Sequence, residues 1–340
     1  MSAVYVWIET FQGRAQPGSW EALGAASKLG LPVVALVFGK DASAIAQEAA
    51  RYGAERCLVS EDATLESYRL EPYAALLSKL VQDNRPRLVL ASATLRGREL
   101  LAASAADTNC ALLSDVMTFE VNDGTVTATR AAYAGKVLSD VEATGETVFL
   151  TLRGRAFKAQ AANEAASAQI ETVEPVLAEA KIATKIEGFE AEAGGVNLSD
   201  AAIIVSGGRG MANNPKPAPP DAADAAVWKA QDGFKNTLQP LADVLGGAVG
   251  ASRAAVDAGY ISYAHQVGQT GKTVSPELYI ACGISGAIQH QAGMRSSRII
   301  VAINKDADAP IFKIARYGLV GDLYEIVPAL TAELKRRLGK

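Results

Sequence analysis

A chain of 340 residues, 49% apolar and 21% charged, has an ordinary globular composition and the length for two domains of roughly 100–200 residues each. Its net charge of −4 gives no basic footprint for nucleic acid or an anionic membrane, and no uninterrupted apolar run reaches the ~18 residues of a membrane span. Three isolated cysteines, Cys57, Cys110 and Cys282, argue against a disulfide framework and against four-thiolate iron–sulfur ligation; with no basic, apolar leader before Val4, they lead us to expect a cytoplasmic protein.

The first part alternates strand-like runs (4–9, 32–38, 56–60 and 87–93) with helix-like runs (20–29, 42–52, 71–83 and 98–106). Such alternation predicts right-handed βαβ units and a parallel sheet, an α/β fold. After Ser114 the pattern changes. Runs at 116–121 and 125–131 flank Asn122-Asp123-Gly124, a hairpin signal, and 136–143 and 148–152 read as further strands. Together they predict an antiparallel extension of the first domain. Residues 153–197 are Ala- and Glu-rich with weak periodicity and read as the end of that domain plus a linker. The expected domains are 1–195 and 196–340.

Ile203-Ile204-Val205 starts a second α/β unit. Ser206-Gly207-Gly208-Arg209-Gly210 follows, a turn able to present N–H groups to a phosphate or ribose, or an ordinary tight turn. It misses the dinucleotide fingerprint, because Asn213 stands where the third glycine belongs. Four prolines in 213–221 predict an exposed loop, and 238–249 a helix. Ser252 reads as an N-cap before Ala254-Ala255-Val256, with Arg253 a fixed cation beside it. Gly268-Gln269-Thr270-Gly271-Lys272-Thr273 fails as a Walker A loop, since Gln266 occupies the first glycine's position. It reads instead as a loop whose Thr270 hydroxyl and backbone N–H groups face a ring nitrogen. A short buried strand at 278–281 turns through Gly283-Ile284-Ser285-Gly286 into a helix bearing Gln289 and His290, a junction suited to a pyrophosphate. A nucleophile elbow is the rival there, but Ala287 replaces its last glycine, and His290 is too close in sequence to Ser285 for a normal triad. The strand at 299–303 ends in Asn304-Lys305-Asp306, and 318–323 brings Asp322 to a similar edge, where doubly wound sheets bind ligands. A closing helix at 329–338 carries Lys335, Arg336 and Arg337 at its C-terminal end.

The stretch QVGQTGKTVSPELYIACGISGAIQHQAGMRSSRIIVAINKDADAPIFKIARYGLVGDL, Gln266 to Leu323, closely resembles the FAD-binding domain of the electron transfer flavoprotein α subunit. The resemblance is dense over the last 140 or so residues and loose over the first domain. It implies a flavodoxin-like or deoxyhypusine-synthase-like C-terminal domain holding one FAD. Arg209 would lie near the adenosine or phosphate part. Ser252, Ser285 and Gln289 would hold the pyrophosphate and ribityl region. Arg253 would sit over the isoalloxazine and favour its anionic, half-reduced form. Gln266, Val267 and Thr270 would line the ring, with the Thr270 hydroxyl near N5, and Gly268, Gln269, Gly271, Gly286 and Ala287 would also contact the cofactor. His290 would face O2, adding positive charge if protonated, and Asn304, Asp322 and Leu323 would contact the adenosine half.

The resemblance also implies an electron carrier, not a substrate-converting enzyme, with no metal. It would work in a heterodimer whose β subunit carries AMP or a second FAD, and the first domain would form the subunit interface. Donors would be flavin dehydrogenases such as the acyl-CoA dehydrogenases of fatty acid β-oxidation, and the acceptor an electron-transfer-flavoprotein–quinone oxidoreductase or its equivalent. A bifurcating complex that oxidises NADH stays open, as do an NAD-dependent oxidoreductase and a nucleotide-binding regulatory module. One departure stands out: the segment 213–234 is longer than the family usually has, as a docking loop or a surface insertion.

Overall fold

The computed structural model describes residues 3–133, 135, 137–188, 198 and 201–340. The chain divides into two compact units, Met1–Ala132 with Leu138–Ala191, and Tyr133–Val137 with Glu192–Lys340. The expected boundary at 195/196 lies outside the described residues. Among these, no helix is long and apolar enough to cross a membrane.

The first unit runs β1 (Val4–Trp7), a short hairpin of β2 (Thr10–Phe11) and β3 (Arg14–Ala15), α1 (Pro17–Ala26), β4 (Val33–Phe38), α2 (Ala42–Arg51), β5 (Arg56–Ser60), α3 (Leu70–Asn84), β6 (Leu88–Ser92), α4 (Leu95–Asp107), β7 (Ala111–Asn122), β8 (Thr125–Ala132), β9 (Val137–Thr144), β10 (Val148–Leu152) and β11 (Gln169–Thr172). Nine of these strands form one sheet in the order β11-β5-β4-β1-β6-β10-β7-β8-β9. Helices cover both faces, so the central strands are apolar throughout: every residue of VVALVF in β4 is buried. Alternate side chains enter different cores. Val4, Val6 and Ile8 pack with Leu23 and Ala46, whereas Tyr5 and Trp7 pack with Leu77 and Leu101.

Two expectations are corrected. β7 and β8 do form the antiparallel hairpin, but β10 lies between β6 and β7 and is parallel to both. Its five residues VFLTL are all buried, which a solvent-facing antiparallel extension would not permit. The segment 153–197, read without any strand as the end of the domain plus a linker, contains β11, which pairs in parallel with β5. All four of its residues are exposed, so it carries no periodic signal.

The second unit runs β12 (Ile203–Gly207), α5 (Ala225–Gly233), a π-helical turn at Phe234–Leu238, α6 (Gln239–Leu245), β13 (Ala248–Ser252), α7 (Arg253–Asp257), β14 (Gln266–Val267), β15 (Leu278–Cys282), α8 (Ile288–Met294), β16 (Ile299–Asn304), β17 (Tyr317–Val320) and α9 (Leu323–Leu338). The six strands are all parallel, in the order β14-β13-β12-β15-β16-β17. Numbered within the unit this is 3-2-1-4-5-6, the doubly wound order whose switch point lies between β12 and β15. The helix expected through residue 249 ends at Leu245, where Gly246 turns left-handed at φ 66°, and Ala248–Ser252 is a strand. The proline-rich loop is partly tied down. The buried Asn214 donates to the Lys229 carbonyl and to Asp232, each at 3.0 Å, and the Lys216 ammonium reaches Asp232 at 2.7 Å. Asp224 caps α5 through the N–H groups of Ala226 and Val227.

Candidate functional site

All six parallel strands of the second unit end at one cavity of about 490 Å³, within the usual range for small-molecule and cofactor sites. Arg209 and Gly210 follow β12, Ser252 and Arg253 follow or end β13, and Val267 to Thr270 follow β14. Gly283 to Ser285 follow β15, Asn304 to Asp306 end β16, and Gly321 to Leu323 follow β17.

At the switch point two loops touch backbone to backbone. Gly208 N–H donates to the Cys282 carbonyl at 2.9 Å, and Gly210 N–H to the Gly283 carbonyl at 3.1 Å. A Cβ on Gly208 would stand 2.2 Å from the Gly283 oxygen, and Gly283 itself sits at φ 61°. This contact brings the exposed Arg209 to the cavity wall.

The Ser252 oxygen caps α7, accepting from Ala255 N–H at 3.3 Å. Arg253 borders the cavity but is not a lone cation: its Nε lies 3.2 Å from Oδ2 of Asp257, one helical turn on, and Asp257 also lines the cavity. The pair shares a charge that the sequence reading gave to Arg253 alone. An acid four residues after an arginine was the available signal.

The loop after β14 closes on itself. Lys272 N–H donates to the Gln266 carbonyl at 2.8 Å and Gly268 N–H to the Lys272 carbonyl at 3.2 Å. Val267, Gly268, Gln269 and Thr270 line the cavity. Gln266, expected at the ring, and Gly271, expected at the cofactor, do not. Gln266 is only 2% exposed and lies behind the loop, and Gly271 is packed against its carbonyl.

On the opposite side, Ser285, Ala287 and Gln289 line the wall. The N–H groups of Ser285, Gly286 and Ala287 donate to no acceptor among the described residues. Gly286 does not line the cavity; it is buried against Ile311, whose N–H donates to the Ser285 carbonyl at 3.0 Å. Because α8 spans only seven residues, attraction for an anion comes from these loop N–H groups and not from a long helix dipole.

His290 lines the cavity as a buried ring with both nitrogens in use. Nδ1 lies 3.0 Å from the Val267 carbonyl, which can only accept, so Nδ1 carries the hydrogen. Nε2 lies 3.0 Å from the Tyr279 hydroxyl and accepts from it. Burial pushes the pKa down to about 4, against the opposing carbonyl bond. The sequence leaves the protonation of His290 open; burial favours the neutral ring at pH 7.

Asn304 Nδ2 donates to the Ile284 carbonyl at 3.0 Å and its Oδ1 accepts from Asp306 N–H at 3.1 Å, so its amide braces two loops at the cavity floor. Asp322 Oδ1 caps α9, accepting from Tyr324 N–H at 2.8 Å. Leu323 belongs to the core and closes one end of the site. Sequence reasoning did not single out Asn213, Asp257, Lys305 or Asp306 as site residues, although the last two stood beside Asn304.

This donor set fits a dinucleotide. Arg209, Arg253, Lys305 and the loop N–H groups suit a pyrophosphate, carboxylates suit ribose hydroxyls, and Thr270 with neighbouring N–H groups suits a polar ring edge.

Residues 4–178 match the Electron transfer flavoprotein domain, and residues 222–295 match the Electron transfer flavoprotein FAD-binding domain. The chain is 43% identical over 304 residues to the Electron transfer flavoprotein subunit alpha of Bacillus subtilis (strain 168), covering 89% of this chain and 88% of that one. It is 40% identical over 345 residues to the subunit of that name from Megasphaera elsdenii, covering 99% and 97%. A third, from Syntrophomonas wolfei subsp. wolfei, is 38% identical over 339 residues, covering 99% and 100%.

Proposed function

This chain belongs to the electron transfer flavoprotein α subunit family, and we propose that it is the FAD-carrying half of a heterodimeric electron shuttle. The observation that carries the reading is the convergence of six parallel strand ends, in dinucleotide-binding order, on one cavity that the family's FAD-binding segment, residues 222–295, helps to line. Bound FAD would supply the redox chemistry, storing electrons taken from a dehydrogenase until an acceptor removes them.

The protein's own contributions are binding, orientation and charge. Arg209 and the N–H groups of Ser285 and Ala287 would hold the pyrophosphate, with Ser252 and Gln289 flanking it. Thr270 would offer its hydroxyl to the ring edge. Arg253 would favour negative charge on the flavin, moderated by Asp257. His290 would present a neutral edge, and Asn304, Asp322 and Leu323 would bound the adenosine half. Electrons would come from flavin dehydrogenases such as acyl-CoA dehydrogenases and leave to a quinone-reducing partner. The β subunit would carry AMP or a second FAD and bind mainly through residues 1–195, where Phe11, Leu95 and Leu138 expose apolar surface. Three free cysteines support a reducing, cytoplasmic setting.

The test is an absorption spectrum of this chain purified with its β partner, followed through stepwise anaerobic reduction. One FAD per heterodimer, reducible by an acyl-CoA dehydrogenase, is the expected result. Two FAD, one reduced by NADH, would assign the complex to electron bifurcation. A colourless complex after added FAD, or tightly held NAD in its place, would refute the reading.

A further inference from the structure

We propose that Gln266, which does not touch the cavity, is a positioning residue that aims the Thr270 hydroxyl into it. The inference rests on the proposed FAD site and concerns which atom of Thr270 faces the ring as a donor.

A threonine hydroxyl has one hydrogen to donate and two lone pairs to accept with. The Gln266 side-chain amide lies under the loop, and its Nε2 donates to Thr270 Oγ1 at 3.1 Å. With one lone pair engaged from behind, the Oγ–H bond has the cavity side left to it. Within the loop the nearest competing carbonyls each already accept one N–H. The Gln266 carbonyl, four residues back, already takes Lys272 N–H at 2.8 Å, and the Gly268 carbonyl takes Gly271 N–H at 3.2 Å. The Thr270 carbonyl is held from the other side by the Tyr263 hydroxyl at 2.6 Å. Both oxygens of Thr270 are thus fixed by groups outside the cavity: Tyr263 sets where the loop stands, and Gln266 sets which way the hydroxyl points. The burial of Gln266, only 2% exposed, gives its side-chain amide little freedom to leave. A hydroxyl committed to donation fits an unprotonated ring nitrogen such as N5 of an oxidised flavin, and fits a ring N–H poorly.

The test uses the heterodimer loaded with FAD labelled with 15N at N5, and reads the N5 resonance together with FAD affinity. Thr270→Ala is expected to move the resonance by removing the donor. Gln266→Met deletes the orienting N–H without adding charge, and Gln266→Glu offers an acceptor that turns the hydroxyl away. Both are expected to reproduce most of the Thr270→Ala displacement. Tyr263→Phe loosens the loop but leaves the amide in place, and is expected to keep the wild-type resonance. The proposal is overturned if both Gln266 variants keep the wild-type N5 signal while Thr270→Ala moves it. It is also overturned if Tyr263→Phe moves the signal as far as they do, since Gln266 would then be one loop brace among others. A wild-type heterodimer that takes up no FAD would instead overturn the proposed function.

Discussion

The pH dependence of stability should be dominated, over one window, by a single imidazole. His290 is neutral in the fold because burial pushes its pKa down to about 4, from an ordinary value near 6.5. Between those values the unfolded chain binds a proton there that the folded chain does not, so stability rises with pH across the window and falls as pH drops through it. The slope from this group approaches about 1.4 kcal/mol per pH unit, and the whole window is worth about 3 kcal/mol. Above pH 6.5 both states are neutral and the term is flat. His290→Gln keeps a donor for the Val267 carbonyl and an acceptor for the Tyr279 hydroxyl but cannot titrate. The variant should lose some stability at pH 7.5. Its urea-unfolding free energy should then change less steeply than that of the wild type between pH 6.5 and 4.5. Taking the difference between the two chains removes the carboxylates common to both. Parallel profiles for wild type and variant would refute the assignment of a neutral, unprotonatable His290.

Other outcomes are expected elsewhere in the second unit. Gly208→Ala drives a Cβ into the Gly283 carbonyl and parts the two switch-point loops; with strain of about 1–3 kcal/mol and two hydrogen bonds of about 1 kcal/mol each at risk, calorimetry should show a clear fall in Tm and FAD titration a weakened complex. Asp257→Asn frees Arg253 from an exposed i,i+4 pair worth roughly 0.2–1 kcal/mol, so the flavin midpoint potential should rise by about 10–40 mV in an equilibrium titration. Asp232→Ala removes the carboxylate that gathers Asn214, Lys216 and Asn236. It should cost about 1–3 kcal/mol in denaturant unfolding and leave FAD affinity unchanged.

The strands of both sheets were legible wherever a fully covered sheet demands a continuous apolar run, as in β4, β5, β6 and β15. Legibility failed where burial is achieved without bulk. β13 is AVGAS, five small buried residues, the first two of which read as the end of a helix, and β14 is only two residues long. β10 was legible as a strand but not as a central one, because a sequence does not say which neighbour a strand will choose. At the site, the family resemblance supplied the loops and the structure then separated their residues by side. Gln266 and Val267 are consecutive in a strand, so their side chains point oppositely: that of Val267 packs in the core, and Val267 borders the cavity while Gln266 does not. The neutrality of His290 rests on Val267 and Tyr279, groups 23 and 11 residues away, which no local pattern announces.

The 3-2-1-4-5-6 strand order has a kinetic side. Arg209 and Leu323 stand at opposite ends of the unit's sequence, and the cavity between them takes a wall from every strand. The site is complete only when all six strands are in place. Closure of the sheet comes first, at the slow pace of a topology rich in long-range parallel pairings. Cofactor capture follows, and by mass action draws the equilibrium toward the finished sheet. FAD supply would then govern how much of this chain survives long enough to meet its partner, as well as how much is active.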